Sequence, residues 1–180
     1  MLGLSLTQPW ATLMWGADKA NETRDWPTSY RGDVAIVASL AFPKTVRAMC
    51  WEEPFRSTLE RHGAVFSPKG PTGLPLGKVL CVVELYDCVR TSAFLKTWQE
   101  EWVGAVPPRP YEVLFGDYSE GRRGLGRYAL LTRNLRRLAE PVPVEHLEKG
   151  RPAPGGALGL YKLSPNCEAA VVAQLAAMGK

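Results

Sequence analysis

Three ionisable side chains occur close together near the start of the chain, in the stretch GADKANETR at residues 16–24. They are Lys19, Glu22 and Arg24. Glu22 can accept hydrogen bonds from the amino group of a nucleobase, and Arg24 can hold that carboxylate or bind a phosphate. Lys19 provides a point charge or, if it is desolvated, a base. This set of residue types is typical of a site that recognises a base or a phosphate, or that activates water.

A short helix is expected immediately before this stretch. Trp10, Leu13 and Met14 have the spacing of one helical face. Pro9 suits the first helical turn, and Gly16 is expected to end the helix in a left-handed conformation.

An extended segment is expected next, over residues 20–26. Side chains two positions apart on a strand share a face, so Glu22 and Arg24 would point the same way. Lys19 lies in the turn that precedes the segment. The three side chains could therefore converge on one cleft between the helix and the strand.

Aromatic residues flank the charged stretch: Trp10, Trp26 and Tyr30 could supply surfaces on which bases stack. A surface Glu–Arg pair beside core tryptophans is the alternative interpretation. The residues alone slightly favour this alternative, because exposed ion pairs are common and contribute little.

The composition is that of an ordinary globular protein, with 180 residues of which 46% are hydrophobic. This length suits one domain, expected over residues 1–180 and ending in a helix over 165–180. No apolar run approaches the roughly 20 residues that cross a bilayer, and the N-terminus lacks the features of a signal peptide. We therefore expect a cytoplasmic protein without a membrane partner.

The cysteines and histidines do not form a metal-binding pattern. The four cysteines include no C-x-x-C pair, and the two histidines are far apart. Because structural zinc uses ligand pairs at short spacing, we expect buried free thiols and no cofactor.

The predicted elements indicate an α+β fold or a partly open barrel, because strands and helices alternate irregularly and regular βαβ crossovers are absent. Residues 63–77 are expected to form a loop. Residues 128–138 are ambiguous: the spacing of one tyrosine and three leucines favours a helix, whereas the sequence RYALLT suits a strand. Strands are expected at 3–6, 33–39, 78–89 and 156–163, and helices at 43–62, 91–103 and 168–178.

Positive charge is concentrated in residues 120–137, which hold six arginines and one acid, a local balance of +5 within a net charge of +4. Clustered arginine is typical of phosphate binding, because guanidinium forks match phosphate oxygens. A solvated strand or helix face explains the charge equally well. The arginines are Arg122, Arg123, Arg127, Arg133, Arg136 and Arg137.

The first 40 residues resemble the opening of an ASCH domain, a family of the PUA-like superfamily. The resemblance rests on the pattern K-x-x-E-x-R preceded by a glycine, and a looser likeness extends to about residue 163. Flanking positions that also match the family are Gln8, Pro9, Trp10, Ala11, Trp26, Tyr30, Arg31 and Gly32.

This resemblance implies a PUA-like small β-barrel with flanking helices, in which residues 127–133 form a strand. It implies a nucleic-acid-binding module, for RNA rather than DNA or for a modified nucleoside, whose Lys-Glu-Arg cleft recognises a base or modified nucleotide. The expected nucleic-acid-binding residues are Gln8, Trp10, Lys19, Glu22, Arg24, Trp26, Tyr30, Arg31, Arg122, Arg123 and Arg127.

The resemblance also implies an alternative, a hydrolase that acts on acylated cytidine nucleosides or on RNA. Lys19 and Glu22 would then be catalytic, with Glu22 as a general base toward water and Lys19 stabilising an oxyanion. Threonine-based acyl transfer is disfavoured, because Thr23 would point to the opposite face of the strand from Glu22. A buried, desolvated Lys19 would favour catalysis, and a solvated Lys19 on a broad basic groove would favour binding.

Overall fold

The computed structural model describes residues 1–102, 109–119, 126–144 and 159–178. Within these residues the chain forms short helices around strands. In chain order the elements are β1 Leu2–Leu6, α1 Trp10–Gly16, β2 Glu22–Arg24, β3 Gly32–Ala38, α2 Lys44–Met49, α3 Phe55–Arg61, β4 Val65–Ser67, β5 Gly70–Thr72, β6 Lys78–Arg90, α4 Thr91–Glu101, β7 Tyr128–Pro143, β8 Tyr161–Lys162 and α5 Pro165–Met178.

Six of the strands form one curled sheet in the order β2-β7-β6-β3-β1-β8. Strands β1 and β3 are parallel, and the other neighbours in this sheet are antiparallel. The sheet is a half-barrel with helices packed around it, which confirms the expected α+β, PUA-like fold.

Both faces of the central strand β3 are covered, which explains its nearly continuous apolar sequence. Val34 and Ile36 pack into a core cluster that includes residues of α1, such as Met14. Ala35 and Val37 point to the other face and pack into a second cluster beneath α5. Helix α1, which leads into the charged stretch, is therefore anchored to the centre of the sheet.

The prediction of a helix from the spacing at 128–138 is wrong, because this segment lies within strand β7. It pairs with β6 from Tyr128 opposite Arg90 to Pro143 opposite Lys78, with three shifts of register. Asn134 has a left-handed φ of 52°. Such irregularities break the two-residue alternation of a strand, so the leucines acquire a spacing that resembles a helical face.

The prediction for the end of α1 is wrong by one residue. The left-handed residue is Ala17, with φ 67°, and Gly16 is still helical. Gly16 is needed for space instead: a Cβ there would lie 2.3 Å from His62 Nε2.

The prediction of a loop at 63–77 is also wrong in part, since it contains the β4–β5 hairpin with Val65 opposite Thr72. Strands of three residues that include glycine and proline leave no alternating pattern to detect.

The helices predicted at 43–62 and 168–178 are present, the first as α2 and α3 and the second as α5. Parts of three expected elements lie outside the described residues. They are residues 179–180 of the C-terminal helix, residues 156–158 of the strand expected at 156–163, and residue 103 of the helix expected at 91–103. No helix in the described part of the chain is both long and apolar enough to cross a membrane.

The buried thiols should be chemically inert. All four cysteines are free, and only Cys88 is partly accessible. Burial raises the pKa of Cys50 to about 11 and that of Cys81 to about 12. We expect iodoacetamide at pH 8 to alkylate Cys88 on the order of a hundredfold faster than Cys50 or Cys81 in the native protein, since the thiolate is the nucleophile. Peptide mass spectrometry measures this, and all four should react in urea; equal native rates would contradict it.

Candidate functional site

Strand β2 and the turn before it bring the three charged side chains together. Lys19 Nζ lies 3.5 Å from Glu22 Oε2, and Arg24 Nε lies 3.2 Å from Glu22 Oε1. The Glu22 carboxylate therefore lies between two cations. Arg24 Nη2 also donates a hydrogen bond of 2.7 Å to the carbonyl of Ser5 in β1. Since β1 and β2 lie far apart in the strand order, Arg24 spans the open side of the half-barrel.

Lys19 is among the largest fully buried side chains, with 1% of its surface exposed, and Glu22 is 9% exposed. The Arg24 side chain is only 23% exposed, so the interpretation of Glu22 and Arg24 as an exposed surface pair is wrong. The Lys19 ammonium also donates a hydrogen bond to the backbone carbonyl of Asn21. A buried charge is costly unless it is paired and hydrogen-bonded, and these two partners meet that need.

A second carboxylate, from a segment distant in sequence, binds the backbone N–H groups of this turn. Glu112 is 1% exposed. Its Oε2 accepts the N–H of Ala20 at 2.6 Å, and its Oε1 accepts the N–H of Asn21 at 3.0 Å. The Tyr118 hydroxyl donates to the same Oε1 at 3.1 Å. Glu112 thus fixes the two residues that connect Lys19 to β2.

Tyr118 is held as a neutral hydrogen-bond donor. Burial, followed by the charge and hydrogen bond of Glu112 and the charge of Glu22, raises the pKa of the Tyr118 hydroxyl far above its usual range. The Tyr118 ring stacks on Phe94 of α4 with centroids 5.0 Å apart. Tyr118 therefore links Glu112, and through it the turn before β2, to helix α4.

Lys19 lines a small cavity of about 50 Å³ between the end of α1 and strand β7. Thr132 of β7 lies in its wall and donates a hydrogen bond to the carbonyl of Ala20. Arg109 also lines it and is fixed by a hydrogen bond of 3.0 Å from Nε to the carbonyl of Ala17. The cavity is lined by Met14, Ala17, Lys19, Ala20, Val83, Arg109, Thr132, Arg133, Asn134 and Leu135.

Two members of this lining, Arg133 and Asn134, share one acid on the neighbouring strand. Arg133 donates to both oxygens of Glu84, at 3.0 and 2.7 Å, and the Asn134 amide donates at 2.6 Å. These hydrogen bonds lower the pKa of Glu84. No group of three or more His, Cys, Asp or Glu side chains suited to a metal ion occurs among the described residues.

Of the three charged residues Lys19, Glu22 and Arg24, Lys19 belongs to this lining and the other two do not. The remaining predicted residues near the N-terminus also lie outside it, and most have partners in the protein itself. Gln8 is fully buried: its Nε2 donates to the carbonyl of Pro75 at 2.7 Å, and its Oε1 accepts the N–H of Thr12 at 3.2 Å. Gln8 therefore fastens the start of α1 to a distant loop. Trp10, the first residue of α1, and Trp26 are partly buried and pack against the core cluster that includes Met14.

Tyr30 and Arg31 organise the turn before β3. The Tyr30 hydroxyl donates to the carbonyl of Asp33 at 2.9 Å. Arg31 forms an exposed ion pair of 2.7 Å with Asp87 and donates to the carbonyl of Thr28. Both side chains therefore stabilise the turn before β3.

The described arginines of the basic segment all have partners. Arg127 lies 3.0 Å from Asp25 and 3.1 Å from Asp117. Arg133 pairs with Glu84, Arg136 pairs with Asp33, and Arg137 donates to two carbonyls at the end of α1. Arg122 and Arg123 lie outside the described residues.

Sequence reasoning missed Glu112, Tyr118, Arg109 and Thr132. Glu112 is separated from Asn21 by 91 residues and lies in a segment of turns. That segment has no helical or strand periodicity, so no local signal indicated that its carboxylate would be buried.

Comparison with known families places this geometry in context. A search of curated proteins finds no match. The family model of the ASCH domain matches residues 4–123, two thirds of the 180 residues. The match includes Lys19, Glu22 and Arg24 together with Glu112, and it ends before β7. The chain therefore belongs to the ASCH domain family.

Proposed function

We propose that this ASCH protein is a nucleic-acid-binding module, for RNA rather than DNA, whose Lys19–Glu22–Arg24 cleft recognises a base or a modified nucleotide. Family membership is consistent with a PUA-like RNA-binding module. The observation that carries the proposal is the pairing of the Glu22 carboxylate, which lies 3.5 Å from Lys19 and 3.2 Å from Arg24 and is therefore engaged by two cations rather than free to act as a base.

The chemistry of the cavity favours a ligand group that accepts hydrogen bonds. A lysine ammonium has three N–H donors. Among the described residues Lys19 has two partners, Asn21 and Glu22, so one donor remains for a ligand. Arg109 adds a guanidinium to the same wall. A carbonyl oxygen or a ring nitrogen at the edge of a base meets these donors.

The size of the cavity limits what enters it. Sites for whole small molecules typically have roughly 300–1,000 Å³, whereas this cavity has about 50 Å³. It therefore suits one functional group rather than a whole base. The base itself would lie at the mouth, beside Arg133 and Asn134.

A hydrolase is the second candidate, because the burial of Lys19 favours catalysis. Lys19 could polarise the carbonyl of an acyl group on cytidine, and Glu22 would have to activate water. Both Lys19 and Arg24 already hold that carboxylate, which favours binding over base catalysis. Thr23 does not offer a nucleophile on this face, because its side chain lies on the opposite face of β2, where its hydroxyl accepts the N–H of Asp117 at 3.2 Å.

One incubation series separates the two candidates. Purified protein is mixed with acylated cytidine nucleosides and with single-stranded and duplex RNA and DNA. Retained complex is measured by filter binding and products by mass spectrometry, for the wild type, Glu22→Gln and the control Glu100→Gln. Glu100 is exposed on α4, so the control makes the same change of charge away from the site. We expect salt-sensitive retention of RNA without turnover.

Glu22→Gln should weaken this retention roughly tenfold or more, corresponding to the loss of about 1.4 kcal/mol of binding energy. Glu100→Gln should leave it within about twofold. Turnover of an acylated nucleoside that Glu22→Gln abolishes would establish the hydrolase instead. If Glu22→Gln and Glu100→Gln reduce retention equally, Glu22 is not part of the binding site.

A further inference from the structure

A groove of about 490 Å³ lies between α2 and the β4–β5 hairpin. It shares no lining residue with the cavity beside Lys19. Three of its lining residues are cationic, one is a tryptophan and none is acidic. The lining consists of Lys44, Arg47, Ala48, Trp51, Pro68, Lys69 and Gly70.

The two walls of the groove meet where Arg47 touches Gly70. Gly70 has a left-handed φ of 104°, and a Cβ there would lie 2.9 Å from Arg47 Cβ. Arg47 Nε donates to the carbonyl of Phe42 at 2.9 Å, and its guanidinium lies 5.0 Å above the Phe42 ring. The guanidinium is therefore held in place at the base of the groove before any ligand arrives.

Trp51 forms an aromatic surface at the groove and is 40% exposed. Its ring packs against Phe66 in a T-shaped arrangement with centroids 5.0 Å apart, and the Arg56 guanidinium covers one face of the indole, 5.2 Å from its centroid. These contacts orient the indole. An oriented, exposed aromatic ring beside cations is the combination on which nucleic-acid bases stack.

The remaining charges are available to a ligand. Lys44 and Lys69 are exposed, and neither forms an ion pair with any other described residue. This differs from the arginines of β7, which pair with acids or carbonyls. Three cations without an acid in one concave surface attract a polyanion and raise its local concentration.

We propose that this groove is a second contact for single-stranded nucleic acid. Phosphates bind to Lys44, Arg47 and Lys69, and one base stacks on Trp51. A phosphodiester chain supplies both anions and aromatic faces at every residue, whereas a run of Asp or Glu supplies the anions alone. The groove adds affinity and leaves base selection to the cleft at Lys19.

Fluorescence anisotropy with a labelled single-stranded oligouridylate tests this groove. Lys44→Ala/Lys69→Ala should weaken binding about tenfold at low salt and reduce the slope of log affinity against log salt by about 1.4, since each single-strand phosphate contributes about 0.7. The control Lys96→Ala/Lys162→Ala removes the same charge at α4 and β8 and should change affinity less than about twofold. Trp51→Ala should weaken binding roughly tenfold, and Trp51→Phe should retain most of it. Thermal melts confirm that each variant is folded.

Equal losses in the groove and control pairs would overturn the proposal. So would a poly-glutamate peptide of matched charge that competes as well as the oligonucleotide. The proposal is also separable from the proposed function. Glu22→Gln should change selectivity among bases with the salt slope intact, whereas the lysine pair should change the slope with selectivity intact. If only the lysine pair has an effect, the groove stands and the cleft assignment fails.

Discussion

Replacement of Glu112 by alanine is expected to lower the free energy of unfolding by about 3–5 kcal/mol. The carboxylate is buried and accepts hydrogen bonds from Ala20, Asn21 and Tyr118. Alanine would leave these donors without their acceptor, at a cost of about 1–3 kcal/mol for each buried orphan. Urea unfolding followed by circular dichroism measures the change.

Smaller substitutions in the same network provide a graded series. Tyr118→Phe removes a single donor and should cost about 1 kcal/mol. Glu112→Gln keeps the shape but places an amide N–H₂ where an acceptor is needed, so its cost should fall between the other two. The exposed control Glu100→Ala should stay within about 0.5 kcal/mol of the wild type. A loss for Glu112→Ala no larger than that for Tyr118→Phe would contradict the role of the carboxylate.

Glu112 also connects stability to function. It holds the N–H groups of the two residues between Lys19 and β2, and it does not line the cavity. We therefore expect folded Glu112→Gln to bind RNA more weakly through displacement of Lys19. Binding equal to that of the wild type would show that Lys19 is positioned without Glu112.

The relative orientation of the charged side chains could be predicted from the sequence, because it depends only on the local alternation of side chains along a strand. The side-chain period of a strand placed Glu22 and Arg24 on one face and Thr23 on the other, and the structure has this arrangement. The family resemblance implied a small β-barrel and a strand over 127–133, and the structure has a half-barrel with β7 in that region. Helical spacing alone gave the wrong answer for β7, because irregular pairing with β6 changes the alternation.

Contacts between distant segments could not be predicted in this way. The excess of charge at 120–137 suggested phosphate binding, yet Arg127 pairs with Asp25 and Asp117, and Arg136 pairs with Asp33. A charge balance along the sequence does not include acids that the fold brings from elsewhere. Conversely, Lys44 and Lys69 lie in an unremarkable stretch of sequence and become neighbours only because α2 packs against the β4–β5 hairpin.

A double-mutant cycle between Lys19 and Glu22 should reveal a strongly asymmetric pair. Glu22→Gln leaves a buried ammonium without its carboxylate counter-charge, so it should cost about 3–5 kcal/mol. Lys19→Met should cost less, because Glu22 keeps Arg24 at 3.2 Å. The double variant removes both buried charges and should be more stable than Glu22→Gln alone. Urea unfolding of the four proteins gives the coupling energy.

The size of this coupling separates a buried site from an ordinary ion pair. We expect about 1–3 kcal/mol for Lys19 and Glu22. The control cycle Lys96→Met/Glu100→Gln uses an exposed pair one helical turn apart and should give at most about 0.5 kcal/mol. Similar couplings in the two cycles would mean that Glu22 does not hold Lys19. A large coupling means that any ligand meets a lysine already anchored by Glu22, so that loss of either residue should weaken RNA binding even in a variant that remains folded.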